Sequence, residues 1–353
     1  MSGWPDGRFL ALSGARLPVV QAPMAGAGGV ALAVAAIKGG AVGSLPCALL
    51  SPDEVRDQVA EVRAQADGPL NLNFFCHDMP PPPDQSAWLA LLEPYYRQEG
   101  VAPPGGAARL RQPFDEAMCR VVEAVRPTFA SFHFGLPDEA LLQRVRAAGV
   151  RVIGNATTPE EAAWLALRGC DAIVAQGFEA GGHAGYFLKG HRPVGLFALV
   201  RQMAGLPVPV IAAGGIVDAE GVAAALMLGA SAVQVGTAYL AAPESLVAPP
   251  HRRQLGTLQA EDTVFTNLFS GREARGMRNR LIEEQGPVSD AVPHFPYASA
   301  ALAPLRAAAE AGGRGDYSQL WAGQAAALVT PERAQALTDR LGREALALLS
   351  GKG

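Results

Sequence analysis

The sequence predicts an α/β protein: a (β/α)8 TIM barrel with an insertion after strand three and a C-terminal helical extension. Three observations carry this. Eight short apolar runs alternate with helix-period segments over the first two-thirds of the chain, the count of a closed barrel rather than of a five- or six-stranded open sheet. The runs are nearly continuous in apolarity, as strands covered on both faces require. Charged residues make up only 18% of the 353 residues, below the usual ~25%, which fits so much buried strand.

The first run, residues 17–21, leads into Gln21-Ala22-Pro23-Met24-Ala25-Gly26-Ala27-Gly28-Gly29. Gly26, Gly28 and Ala31 satisfy a GxGxxA dinucleotide pattern. The second run, 41–45, ends Ser44-Leu45-Pro46, with no acidic residue to take a ribose, so the segment reads as backbone pressed against a flat ligand. Residues 51–66 form a helix in which Ser51 caps, Pro52 occupies the first position, and Asp53 and Glu54 favour the first turn. The third run is 70–75. An insertion, 76–112, follows, opening on the prolines 80–83 and carrying an aromatic stretch from Trp88 to Tyr96. At the C-terminal end of a barrel strand it lies on the catalytic face, as a lid or substrate wall.

Run four is 128–133, then a helix over 137–148; run five is 150–155, then a helix over 158–168, started by Thr158-Pro159-Glu160-Glu161. Run six is 171–175, run seven 208–213 with a helix over 218–228, and run eight 231–235. Residues 221–243 carry no charge and match a membrane span in length. Gly221, Gly229, Ser231, Gln234, Gly236 and Thr237 interrupt them, so a buried helix followed by a buried strand is expected. The barrel is thus assigned to residues 1–242 and a mainly helical extension packed on it to 243–353.

A net charge of −4 gives no electrostatic footprint for nucleic acid or an anionic membrane. Cys47, Cys76, Cys119 and Cys170 are widely spaced with no CxxC pair, as free thiols in a reducing cytosol would be. The N-terminal residues show no signal-peptide pattern. A cytoplasmic enzyme acting on a small molecule is expected, without a metal, since no ligand cluster is present.

The strand ends carry the chemistry. Strands seven and eight end in Gly214-Gly215 and Gly236-Thr237, at the loops where barrel enzymes recurrently bind phosphate. Strand six leads into Gln176-Gly177-Phe178-Glu179-Ala180-Gly181-Gly182-His183. His183 follows two glycines at the barrel mouth, where a neutral imidazole can take or hold a proton. Gln176 can pair with a polar ring edge, since an amide both donates and accepts. His133, at the end of strand four, points to the same mouth.

The segments QAPMAG, NLNFF, SFHFG, AQGFEAGGHAG, AAGGI and QVGTAYL occur in this order at barrel spacing. Together they resemble the nitronate monooxygenases, formerly called 2-nitropropane dioxygenases, which are FMN-dependent (β/α)8 enzymes. The likeness covers roughly residues 10–330 and includes TNLFSGR (266–272) and LWAGQ (320–324). The insertion and the AQG form before EAGGH are most similar to the class I enzymes; EAGGH itself is shared with FMN-dependent enoyl-acyl-carrier reductases.

The resemblance implies that Ala22, Pro23 and Met24 lie along the isoalloxazine. Asn73 and Gln176 would hydrogen-bond it, and Gly181 would touch it. Gly215 and Gln234, Val235, Gly236 and Thr237 would hold the FMN phosphate, and His183 would be the active-site histidine. In the family a nitronate gives one electron to the flavin, dioxygen enters, and a carbonyl compound and nitrite leave. The implied substrate is propionate 3-nitronate, a dianion, with Gly182 beside it and His133, His183, Tyr95, Tyr96, Tyr297 and Tyr317 as candidate partners for its charge. The alternatives are an FMN-dependent NAD(P)H reductase of an enoyl thioester or quinone, and a non-catalytic flavin- or phosphate-binding protein.

Overall fold

The computed structural model describes residues 3–105 and 109–351; within the insertion, 106–108 lie outside the described residues. Eight parallel strands form the barrel: β1 (Val19–Gln21), β2 (Gly43–Pro46), β3 (Leu70–Phe75), β4 (Phe129–His133), β5 (Arg151–Ala156), β6 (Ala172–Gln176), β7 (Val210–Ala213) and β8 (Ala232–Val235). Their hydrogen-bonded order is β1-β8-β7-β6-β5-β4-β3-β2. Bonds of 2.9 Å from Val42 N to Val19 O and from Gln21 N to Val42 O close the ring between β1 and β2. Each strand falls on one of the eight apolar runs.

The period-2 alternation of a strand sorts its residues between two cores. Outward residues such as Leu70, Leu72, Ala130, Phe132, Val233 and Val235 pack under the helices. Inward residues Val20, Val42, Phe129, Ile153, Val174, Ile211 and Ala232 fill the barrel axis. The N-terminal helix Arg8–Ser13 plugs the bottom with Phe9, whose ring stacks 6.0 Å from Phe129. Toward the C-terminal ends the inward set turns polar: Asn73, Ser131, His133, Asn155, Gln176 and Gln234. An apolar plug below and a polar layer above define where a ligand can sit.

The helices start where their caps demand. Ser51 and Glu54 form a reciprocal capping box on helix Pro52–Gln65, Thr158 caps Pro159–Leu167 and Asp218 caps Ala219–Met227. The uncharged stretch 221–243 resolves into that last helix, β8 and the short helix Thr237–Leu240. Among the described residues no helix is long and apolar enough to cross a membrane.

The extension is not helical throughout. Strands Thr263–Thr266 and Ala274–Met277 pair antiparallel, and the second also pairs with Gly182–His183, in register Ala274 to His183. A three-stranded sheet therefore stitches the extension to the loop after β6. Helix Ser299–Ala311 packs on the insertion helix Ser86–Glu99, burying Trp88, Leu92, Tyr95, Tyr96, Leu302 and Leu305 in a separate core. The final helix, Ala334–Leu349, lies against Val30–Gly39 and Ala219–Met227 on the barrel wall.

Candidate active site

A cavity of about 900 Å³ opens at the C-terminal ends of the strands, at the upper end of the size range of small-molecule sites. The barrel supplies its floor, while the insertion and the helix Ser299–Ala311 supply one wall. Of the residues singled out from the sequence, the structure brings Ala22, Pro23, Met24, Asn73, His133, Gln176, Gly181, Gly182, His183, Gly215, Gln234, Gly236 and Thr237 onto its surface.

Val235 is the exception. It is fully buried in the outer core, because neighbouring strand residues face opposite ways and Gln234 already faces in. Only its carbonyl reaches the site's edge, accepting from Ala22 N at 2.8 Å.

The four tyrosines do not line the cavity. Tyr96 donates from its hydroxyl to Ala301 O at 2.5 Å, and Tyr297 to Pro80 O at 2.6 Å. Tyr95 accepts from Gln285 Nε2 at 2.7 Å, and Tyr317 donates to Glu99 Oε1 at 3.1 Å. Their hydroxyls bond the insertion and extension to their surroundings instead of a substrate. An aromatic stretch at helical spacing here is a core.

Gln176 organises the loop above β6. Its Oε1 accepts from Asn155 Nδ2 at 3.0 Å and Gly185 N at 2.9 Å, and its Nε2 donates to His183 O at 2.8 Å. One amide N–H remains. Gly185 has to be glycine, because a Cβ there would stand 2.1 Å from Asn155 Nδ2 and 2.6 Å from His133 Cε1. Asn73 donates through Nδ2 to Ser131 Oγ at 2.9 Å, and its side chain faces the cavity.

His183 is held by its far nitrogen. Ser270 Oγ gives its one proton to Arg272 O at 3.0 Å, so at 2.9 Å from His183 Nε2 it must accept. The proton therefore sits on Nε2, and Nδ1 keeps a lone pair with no described partner, on a side chain that faces the cavity. Phe75, Phe134, Phe295 and Trp321 surround the imidazole at ring-centroid distances of 6.1, 6.0, 5.4 and 5.8 Å. Burial, with the charges of Arg111 and Arg272 behind it, holds this histidine well below the usual imidazole range. Burial likewise pushes His133 down to about 3. Both are neutral at physiological pH.

Arg272 lies between the Phe134 and Tyr186 rings, 4.0 and 4.2 Å from their centroids. Arg111 and Arg306 line the cavity from the insertion and the extension. Ser270, Arg272 and Trp321 fall inside the segments TNLFSGR and LWAGQ, which is the signal the sequence holds for them. Arg111 and Arg306 belong to no motif, and only the tertiary fold puts them at the site.

At the opposite end are the glycine turns. Gly214 and Gly215 have φ of 122° and 68°, the left-handed region that glycine enters freely. The N–H groups of Gly215, Gly236 and Thr237 donate to no backbone carbonyl among the described residues. Thr237 Oγ1 accepts from Gly323 N at 3.0 Å, tying the extension to this turn. Free N–H groups at glycine turns that line a cavity suit an anion such as phosphate.

A sequence model of the family described as nitronate monooxygenase matches residues 8–341. The nitronate monooxygenase of Pseudomonas aeruginosa is 41% identical over 329 residues, 91% of this chain and 94% of its own length. That of Paraburkholderia phytofirmans is 42% identical over 345 residues, 95% of this chain and 94% of its own. Among solved structures, the nitroalkane oxidase from Streptomyces ansochromogenes matches with a TM-score of 0.87 and 33% identity, covering 98% of this chain and 99% of that one. These matches run through barrel, insertion and extension alike, so every wall of the cavity lies within them. This chain belongs to the nitronate monooxygenase family of oxidoreductases.

Proposed function

We propose that this protein oxidises alkyl nitronates with dioxygen to a carbonyl compound and nitrite, using FMN, and that propionate 3-nitronate is its substrate. The observation that carries the reading is a neutral His183 whose Nδ1 opens on a cavity also bordered by Arg111 and Arg306, which have no acidic partner among the described residues. The residues present fit FMN. The glycine turns offer free N–H groups for its phosphate, and Asn73 Oδ1 and the last Gln176 N–H offer an acceptor and a donor for a ring edge. Ala22, Pro23 and Met24 give a flat, sparsely polar surface along the ring, Gly181 allows close approach, and Gly215, Gln234, Gly236 and Thr237 would border the phosphate end. When bound, the flavin supplies a one-electron acceptor.

What the chain itself does follows from its charges. The cations Arg111 and Arg306 favour a substrate that arrives as an anion, which a nitronate does. His183, with its proton affinity lowered by burial, is a weak base for a neutral carbon acid, and its Nδ1 is free to hold a proton beside the reacting carbon. The aromatic ring of Phe75, Phe134, Phe295 and Trp321 keeps bulk water from that point. His133 and Gly182 border the same space.

The test is whether the purified protein is yellow and releases nitrite from propionate 3-nitronate in air. Nitrite release with FMN bound is expected. Rapid anaerobic bleaching by NADH with no nitrite from any nitronate would replace this reading by the reductase one.

A further inference from the structure

We infer that Arg111 and Arg306 form a carboxylate-binding subsite on the cavity wall, one that selects nitronates bearing a second negative group over simple alkyl nitronates. The inference rests on the nitronate reading above and names the residues that would set its substrate preference.

Arg111 is 5% exposed, and its Nε is enclosed without an acceptor. No carboxylate pairs with its guanidinium among the described residues, and the remaining residues (1–2, 106–108, 352–353) have no acidic side chains. A buried, unpaired guanidinium is costly to a fold unless something else neutralises it. Its neighbours make the cost higher. Arg306 lines the same cavity, likewise without an ion pair, and its charge bears on Arg111. Two like charges facing one space favour an anion between them.

The other charged groups on the wall form no ion pair with these two arginines among the described residues. Arg109 pairs with Glu54 at the surface. Glu310, the cavity's acidic side chain among the described residues, accepts from Ser318 Oγ at 2.7 Å. Meanwhile the main chain of Arg111 is fixed in place. The buried His77 donates through Nε2 to Arg111 O at 3.2 Å. Gln112 N donates to Ala48 O at 3.1 Å and Phe114 N to Phe75 O at 2.7 Å. This lacing positions a fork-shaped donor set, which matches the plane of a carboxylate. Arg111 lines the same cavity as His183, and its charge acts on that imidazole.

The experiment compares flavin-loaded wild type with Arg111→Gln and Arg306→Gln, using propionate 3-nitronate and propyl-1-nitronate as substrates. Calorimetric binding of 3-nitropropionate and 1-nitropropane is measured alongside. Each substitution should lower the ratio of kcat/KM for the carboxylated over the plain nitronate roughly 10- to 100-fold, chiefly through KM. Wild type should bind 3-nitropropionate more tightly than 1-nitropropane, and the variants should lose that preference. Without ligand, Arg111→Gln should melt at or above the wild-type temperature, which a merely structural arginine would not allow.

Equal losses on both nitronates, or no carboxylate preference in wild type, would overturn the subsite. Loss of NADH binding in place of carboxylate binding would overturn it too, by assigning the arginines to a dinucleotide. Should Arg111→Gln fail to fold, Arg306→Gln and Arg111→Lys, which keeps charge but loses the fork, decide the same question. Should wild type release no nitrite while the variants still lose 3-nitropropionate binding, the nitronate reading fails and the subsite stands.

Discussion

His183 Nε2 is committed to Ser270 at 2.9 Å, and this fixes what single substitutions should do. Replacing His183 by Asn should leave FMN bound, because the cavity's other groups do not depend on the ring. It should lower activity most with neutral nitroalkanes, by roughly 10²-fold, since these need a base and a nitronate does not. Steady-state rates on nitroethane and on its nitronate, with flavin absorbance of the purified variant, check this; loss of flavin would make His183 a structural residue. Ser270→Ala should lower rates less while freeing the ring to adopt the other tautomer. At this scale the sequence was readable for residues at or after a strand end, as Gln176 and His183 are, since both reach the cavity. It failed where side matters: a run read as a block put Gln234 and Val235 together, whereas the pleat sends Val235 into the outer core. Arg111 was illegible because an arginine in a loop, two residues from the surface Arg109, shows nothing until the fold buries it.

Among the loops, two glycines separate folding from binding. Gly181 lies where two backbones touch: a Cβ there would stand 2.5 Å from Ala322 C and 2.6 Å from Gly323 N. Gly181→Ala should therefore push the extension off the β6 loop and cost about 1–3 kcal/mol, read as a lower Tm. At Gly236 the backbone is ordinary, with φ −117°, and the nearest atoms to a Cβ are Ala22 Cβ at 3.4 Å and Met24 Sδ at 3.6 Å. Gly236→Leu should fold as wild type yet bind less FMN, because its side chain fills the cradle. Unchanged flavin occupancy with an intact fold would remove the phosphate from that turn. Helix starts were legible because Ser51, Thr158 and Asp218 cap by local chemistry. The strands Thr263–Thr266 and Ala274–Met277 were not, since four residues give too little period and the second strand's other partner, Gly182–His183, lies far away in sequence.

For the molecule as a whole, the eight-fold repeat of apolar runs made the barrel legible, while the meeting of insertion and extension over its mouth is a long-range event with no local mark. That closed, apolar packing has a measurable consequence. Burial pushes His77 and His251 down to about 4 and His133 to about 3, and holds His183 well below its ordinary value. Unfolded, each imidazole takes a proton near pH 6.5; folded, each refuses it. The unfolded state then binds more protons, so stability is complete above about pH 6.5 and falls as the pH drops toward 4. Each histidine contributes a slope of up to about 1.4 kcal/mol per pH unit. Carboxylates held low by arginines, such as Glu54 at about 2, lose their contribution only below the usual carboxylate range. The window between about pH 6.5 and 4.5 therefore belongs to the histidines. Tm should be nearly flat from pH 8 to 7 and fall steeply through that window, and His251→Gln, which removes one refused proton, should flatten the fall. A Tm independent of pH down to 4.5, or an unchanged slope in the variant, would mean that these imidazoles take up protons in the folded protein, and that the cavity is wetter than its packing implies.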